Sequence, residues 1–156
     1  MASTPKSAPV HSSPGSATGK CVMLVDDEPA YIDLLEQLLS EHLSCPVLSF
    51  TKPADALRAL DHSDVGLIVT DYHMPEMNGL EFIAEVQRRR PGIPAVMITA
   101  HEVNPVDQPG VGLPALKAVV RKPFRWTALA EHISLYWPGV PPPFPRTAGN
   151  RSSERV

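Results

Sequence analysis

Five residues far apart in this sequence carry chemistry that becomes useful if they meet: Asp26, Asp27, Asp71, Thr99 and Lys122. Each ends or follows a short apolar run, at Cys21–Val25, Val65–Thr70, Ala95–Thr99 and Ala118–Val120. If the runs are parallel strands, all five residues stand at the carboxyl edge of one sheet, where open α/β sheets place their ligand sites. Three carboxylates brought together there repel one another and bind protons more tightly. A small hard cation relieves that conflict, and Mg2+ prefers carboxylates, carbonyls and water as ligands. With Mg2+ on Asp27 and Asp71, and on Asp26 through water, Asp71 can serve as a carboxylate nucleophile toward a phosphoryl group. The Lys122 ammonium and the Thr99 hydroxyl would then hold the phosphoryl oxygens, with charge neutralisation supplying most of the rate.

Taken singly, each residue has an ordinary reading. Asp26-Asp27 could be helix N-terminal charge, and Asp71 could be a turn former before Pro75, Asn78 and Gly79. What sets them apart is recurrence at the same end of successive apolar runs. The elements that must position them can be read in order. Cys21–Val25 is a continuous apolar run, the pattern of a strand covered on both faces. Pro29 suits a first helical turn, and Tyr31, Leu34, Leu35, Leu38 and Leu39 repeat at helical spacing as the face that packs on the sheet. Val47–Phe50 reads as a weaker strand. Thr51 is the expected cap of the next helix, with Pro53 in its first turn and Leu57 and Leu60 facing inward. Phe82, Ile83 and Val86 mark a third helix ending in Arg88-Arg89-Arg90, a cationic end that favours the helix dipole.

The segment from Glu102 to Pro114 carries Pro105, Pro109, Gly110 and Gly112, so at most one short turn is expected there. Trp126, Leu129, Ala130, Ile133 and Trp137 form a last amphipathic helix, stopped by Pro138-Gly139. Five apolar strands alternating with helical segments predict an α/β domain, a doubly wound parallel sheet with helices on both faces. The expected organisation is a disordered tail over 1–19, one domain over 20–137 and a Pro-rich flexible tail over 138–156.

Composition narrows the function classes. The chain has 156 residues, 43% of them hydrophobic, enough for one sizeable core. A net charge of -3 gives no electrostatic case for nucleic acid or an acidic membrane surface. No apolar run is long enough to cross a bilayer, no signal-peptide core is visible, and Cys21 and Cys45 have no metal or disulfide spacing. These features predict a cytoplasmic protein.

Val25-Asp26-Asp27-Glu28-Pro29, Thr70 to Gly79 (TDYHMPEMNG), Thr99-Ala100 and Lys122-Pro123-Phe124 together closely resemble a response-regulator receiver domain, over about residues 20–137. The resemblance implies a (βα)5 flavodoxin-like fold with strand order 2-1-3-4-5, its fourth helix here short or irregular. It implies Mg2+-dependent transfer of phosphate from a histidine kinase or histidine phosphotransfer protein to Asp71, followed by slow self-catalysed hydrolysis. It further implies that His73 lends its backbone carbonyl to the metal, and that the bond before Pro123 is cis and helps aim Lys122.

Two departures from the family pattern stand out. The position three residues before the lysine, usually an aromatic that follows the Thr99-type hydroxyl inward, is Val119. The Pro-rich 102–114 segment replaces the helix that usually carries the signal outward. Output is therefore expected either through that segment or hardly at all, the domain acting as a phosphate sink. His73 and His101 are expected to border the phosphoryl group and tune its lifetime. A non-phosphorylated scaffold and an aspartate-based phosphatase are the competing classes. The phosphatase needs a second carboxylate two residues after the nucleophile, where this chain has His73. No DNA-binding domain is expected after Trp137, so output would pass through an unidentified downstream protein or a homodimer.

Overall fold

The computed structural model describes residues 19–102, 112–139 and 142–144. Strand and helix alternate as β1 (Cys21–Val25), α1 (Pro29–His42), β2 (Val47–Phe50), α2 (Pro53–Leu60), β3 (Val65–Asp71), α3 (Gly79–Arg89) and β4 (Ala95–Thr99), followed by β5 (Leu116–Arg121) and α4 (Trp126–Tyr136). The strands pair in parallel in the order β2-β1-β3-β4-β5, the expected flavodoxin-like arrangement. Strands β1, β3 and β4 are buried along their whole length, whereas the edge strands β2 and β5 keep partly open positions. That difference explains why the inner strands read as continuous apolar runs: each has a helix layer on both faces.

The two faces hold separate cores. Val22, Leu24, Leu67, Val69, Val96 and Ile98 pack with Ile32, Leu35 and Leu39 of α1 and Leu129 and Ile133 of α4. Met23, Val25, Ile68 and Met97 pack on the other face with Leu57 and Leu60 of α2 and Phe82, Ile83 and Val86 of α3. Burying each large aliphatic side chain contributes roughly 1.5–3 kcal/mol. The alternation within each strand thus orients it toward both layers at once. Both cysteines are buried and free; burial pushes the Cys45 thiol up to about 11 and raises Cys21 as well, which leaves them unreactive.

Two local expectations are corrected. The inward stripe of α1 is Ile32, Leu35 and Leu39, while Leu34 is 57% exposed and Leu38 only half-buried. Six large apolar residues crowd this helix, more than one face can bury, and the surplus lies on its flank. Thr51 does not cap α2. Pro53 occupies the first helical position and holds the residue before it extended, so Lys52 is the N-cap and no side-chain bond closes it. The arginine run does behave as a helix end. Arg88 and Arg89 both pair with Glu85, and Arg90 donates to the Leu60 and Ser63 carbonyls at the end of α2.

The 102–114 segment lies largely outside the described residues, as do most of the two tails. Among the described residues, no helix stands between β4 and β5, and none is long and apolar enough to cross a membrane. Packing continues past residue 137. The Ser134 hydroxyl donates to the Phe144 carbonyl and accepts from its amide, both at 2.9 Å, and the Ser44 amide donates to the Pro143 carbonyl at 2.8 Å. Phe144 meets Trp126 edge to face.

One glycine joins fold to site. The Gly79 amide donates to the Tyr72 carbonyl at 2.8 Å, and a Cβ at Gly79 would lie 2.5 Å from the Asp71 carbonyl oxygen. That neighbour is backbone and cannot swing away. Gly79→Ala is expected to destabilise the fold by about 1–3 kcal/mol, measured by urea denaturation, because α3 must back away from the end of β3.

Candidate functional site

Strand geometry delivers Asp71 to the carboxyl edge. It is the last residue of β3, paired with Ile98 of β4, and the Tyr72 amide beyond it donates to the Ile98 carbonyl at 2.8 Å. Asp26 and Asp27 follow β1 on the neighbouring strand. Asp26 Oδ1 accepts the Glu28 amide at 2.9 Å, which ties that carboxylate to the loop ahead of α1. Neither aspartate lies in the first turn of α1, whose cap is Glu28. A role as helix N-terminal charge therefore does not account for the pair. Carboxylate oxygens of Asp26, Asp27 and Asp71 all lie within 4.8 Å of one another.

Lys122 enters from the opposite side, after β5. Its amide donates to the Thr99 carbonyl at 2.8 Å, and the Lys122–Pro123 bond is cis. The ammonium reaches Asp71 Oδ1 at 3.3 Å and Asp26 Oδ2 at 3.5 Å. Asp26 and Asp71 are only 2% and 6% exposed. Burial pushes the Asp26 carboxyl above its ordinary value; the Glu28 amide pulls it back, and the Asp71 charge raises it further. Burial likewise raises Asp71 and prevails over the attraction of Lys122. For Lys122 burial works against the charge, but Asp26 and Asp71 outweigh it and hold the ammonium above its usual range. One ammonium among three carboxylates leaves two negative charges uncompensated. At about 4 Å, with an effective dielectric constant of about 20, each like pair costs on the order of 4 kcal/mol.

This donor set fits a hard divalent cation. Its oxygens are convergent, the charge deficit matches, and among the described residues buried Asp26 Oδ2 has no hydrogen-bond partner, only the Lys122 ammonium at 3.5 Å. Asp26, Asp27 and Asp71 would hold the ion.

The remaining expected residues border this pocket differently. Thr99 is buried at the end of β4, but its hydroxyl is engaged with its own loop, donating to the His101 carbonyl and accepting from the His101 amide, both at 3.1 Å. The exposed rings of His73 and His101 meet edge to face with centroids 5.0 Å apart, and His73 also meets Tyr72. Val119 is half-buried and packs against the core on the sheet face that α2 and α3 cover.

Sequence reading missed one participant. Its spacing places Tyr31 on the face of α1 that packs on the sheet, yet its ring faces Lys122 with the ammonium 4.3 Å from the centroid. Nothing in the local pattern distinguishes a core tyrosine from one beneath a lysine some ninety residues downstream. The same ring lines an apolar groove of about 450 Å³, together with Leu34, Leu38, Phe124 and Trp126.

Comparison with known proteins gives this geometry a context. Residues 22–134 match the response regulator receiver domain. The transcriptional regulatory protein GlrR of Escherichia coli K12 is 40% identical over 81 residues, which cover 51% of this chain and 18% of GlrR. The DNA-binding transcriptional regulator NtrC of the same organism is 32% identical over 81 residues, covering 51% and 17%. The chain thus spans less than a fifth of these relatives, and the DNA binding named for NtrC belongs to that longer protein. Among solved structures, the response regulator TrrA of Thermotoga maritima, in complex with Mg2+ and BeF, superposes with a TM-score of 0.65 at 25% identity, covering 75% of this chain and 98% of that one. With strand order, acidic pocket and sequence in agreement, the chain belongs to the response regulator receiver domain family of two-component signalling.

Proposed function

We propose that Asp71 accepts a phosphoryl group from the phosphohistidine of a histidine kinase or histidine phosphotransfer protein. The observation that carries this reading is the Lys122 ammonium shared between buried Asp71 and Asp26 in a pocket two charges short of neutrality. In the transfer, an Asp71 carboxylate oxygen forms a bond to phosphorus as the phosphorus–nitrogen bond to the donor imidazole breaks. The bonding electron pair leaves with the imidazole nitrogen. Lys122 passes from the carboxylates to the phosphoryl oxygens, where its charge opposes the build-up of negative charge. Mg2+ bound by Asp26, Asp27 and Asp71, with the His73 backbone carbonyl as a further ligand, would supply the neutralisation that lets a dianionic group approach. Slow self-catalysed hydrolysis would end the signal, with His73 and His101 bordering the phosphoryl group.

Output follows from the same geometry. Thr99 must give up the bond it donates to the His101 carbonyl before its hydroxyl can donate to a phosphoryl oxygen, and Val119 offers no ring to follow it. The backbone at His101 and Glu102, where the 102–114 segment begins, is therefore the first element to be released.

Three measurements bear on this reading. Incubation with acetyl phosphate and Mg2+ should add the mass of one phosphoryl group to the wild type and none to Asp71→Asn; an unchanged wild type would favour a scaffold role. The Asp26 charge can be read through stability. Its folded-state carboxyl is raised, so its favourable contribution is full in acid and is lost as pH rises through the folded value. Asp26→Asn mimics the protonated form. Without divalent cations it should melt above wild type at neutral pH by on the order of 1 kcal/mol or more, a gain that vanishes in acid. Mg2+ should raise the wild-type midpoint and affect the variant less. Finally, a beryllofluoride adduct should move the His101 and Glu102 amide NMR signals; shifts confined to the residues beside Asp71 would exclude release of that loop.

A further inference from the structure

We propose that Tyr31 is a positioning residue for Lys122, holding its ammonium over the phosphoacceptor pocket with the face of the ring. The inference rests on the phosphoacceptor reading of Asp71. Three groups surround the ammonium: Asp71 Oδ1 at 3.3 Å, Asp26 Oδ2 at 3.5 Å and the Tyr31 ring, whose centroid is 4.3 Å away. That distance lies within the range in which an aromatic face attracts a cation, and the attraction strengthens as water is excluded.

The three contacts differ in what they ask of the lysine. Each carboxylate draws on the N–H groups that a phosphoryl oxygen would need. The ring face attracts the charge and offers no lone pair that competes for those donors. The carboxylates are also the groups that a divalent cation would occupy, and Asp71 gives up its charge to the new bond on phosphorylation. At that stage both carboxylate contacts weaken, and of the three present contacts the ring is the one that remains as the ammonium turns to the phosphoryl oxygens. A lysine on a flexible four-carbon stem otherwise has no fixed position.

Tyr31 is itself held in place. It is the third residue of α1, half-buried, and packs at the edge of the α1–α4 core. The same ring lines the groove formed with Leu34, Leu38, Phe124 and Trp126. Phe124 stands two residues after Lys122, so the groove wall and the lysine share one short loop.

The test compares wild type, Tyr31→Leu and Tyr31→Phe, with Tyr31→Met replacing the leucine variant if that one fails to fold. Acetyl phosphate serves as donor because it needs no protein docking, so its rate reads the lysine rather than the groove. Two quantities are measured at fixed Mg2+: the rate constant for phosphorylation of Asp71, and the NMR shift of the Lys122 Cε protons, which the ring current of Tyr31 displaces upfield. Tyr31→Leu is expected to lose the upfield shift and to react roughly 2- to 5-fold more slowly. Tyr31→Phe should recover both. A leucine variant that loses the shift and keeps the wild-type rate overturns the inference. So does a phenylalanine variant that keeps the shift and reacts as slowly as leucine, which would assign the effect to the hydroxyl. A wild type that takes up no phosphate removes the reading beneath the inference, and the Lys122 shift shows whether the contact itself survives.

Discussion

Three carboxylates and one ammonium crowd the carboxyl edge of the sheet, with Asp26 and Asp71 almost wholly withdrawn from water. An arrangement of that kind opposes folding, since burial and mutual repulsion both disfavour the charged carboxyl groups. It persists because the surrounding structure fixes three of its members independently. Asp71 is held by strand pairing to Ile98, Asp26 by the Glu28 amide and Lys122 by the Thr99 carbonyl. The tension is also what makes the pocket useful. Uncompensated negative charge attracts a divalent cation, and the lysine already between the carboxylates is the cation that such an ion would displace.

The apolar layers make that edge affordable. Strands β1, β3 and β4 are buried throughout, and each helix pair covers one face, so the backbone leaves little freedom where the strands end. Close contact extends to the loop after Asp71, where the start of α3 approaches the Asp71 and Tyr72 backbone too tightly for any Cβ at position 79. The position of the Asp71 carboxylate therefore depends on packing on the far side of the strand as much as on the residues that touch it.

A second set of contacts ties α4 and the chain just beyond it to α1. Trp126 stacks obliquely on His42 of α1 and meets Phe144, whose backbone is tied to Ser134. The Pro143 carbonyl accepts from Ser44, so the chain beyond α4 crosses back onto the turn that follows α1. Tyr31, Leu34 and Leu38, the surplus apolar residues on the flank of α1, line the groove beside Trp126. Their spacing is helical, but the groove they line is walled by a loop and a neighbouring helix.

The fold class, the parallel sheet and the meeting of Asp26, Asp27, Asp71 and Lys122 at one edge were legible in the sequence. Apolar runs covered on both faces have a strong local signature, and in a parallel sheet every strand presents the same end to the same edge. The cap of α2 and the exposure of Leu34 were not legible, because a proline can displace a cap by one residue and a crowded helix face does not reveal which residues it leaves out. The state of the Thr99 hydroxyl, turned into its own loop, and the Tyr31 ring beneath the Lys122 ammonium were decided by tertiary structure alone. Both depend on side-chain directions and on contacts between elements far apart in the chain, and a one-dimensional pattern holds no record of either.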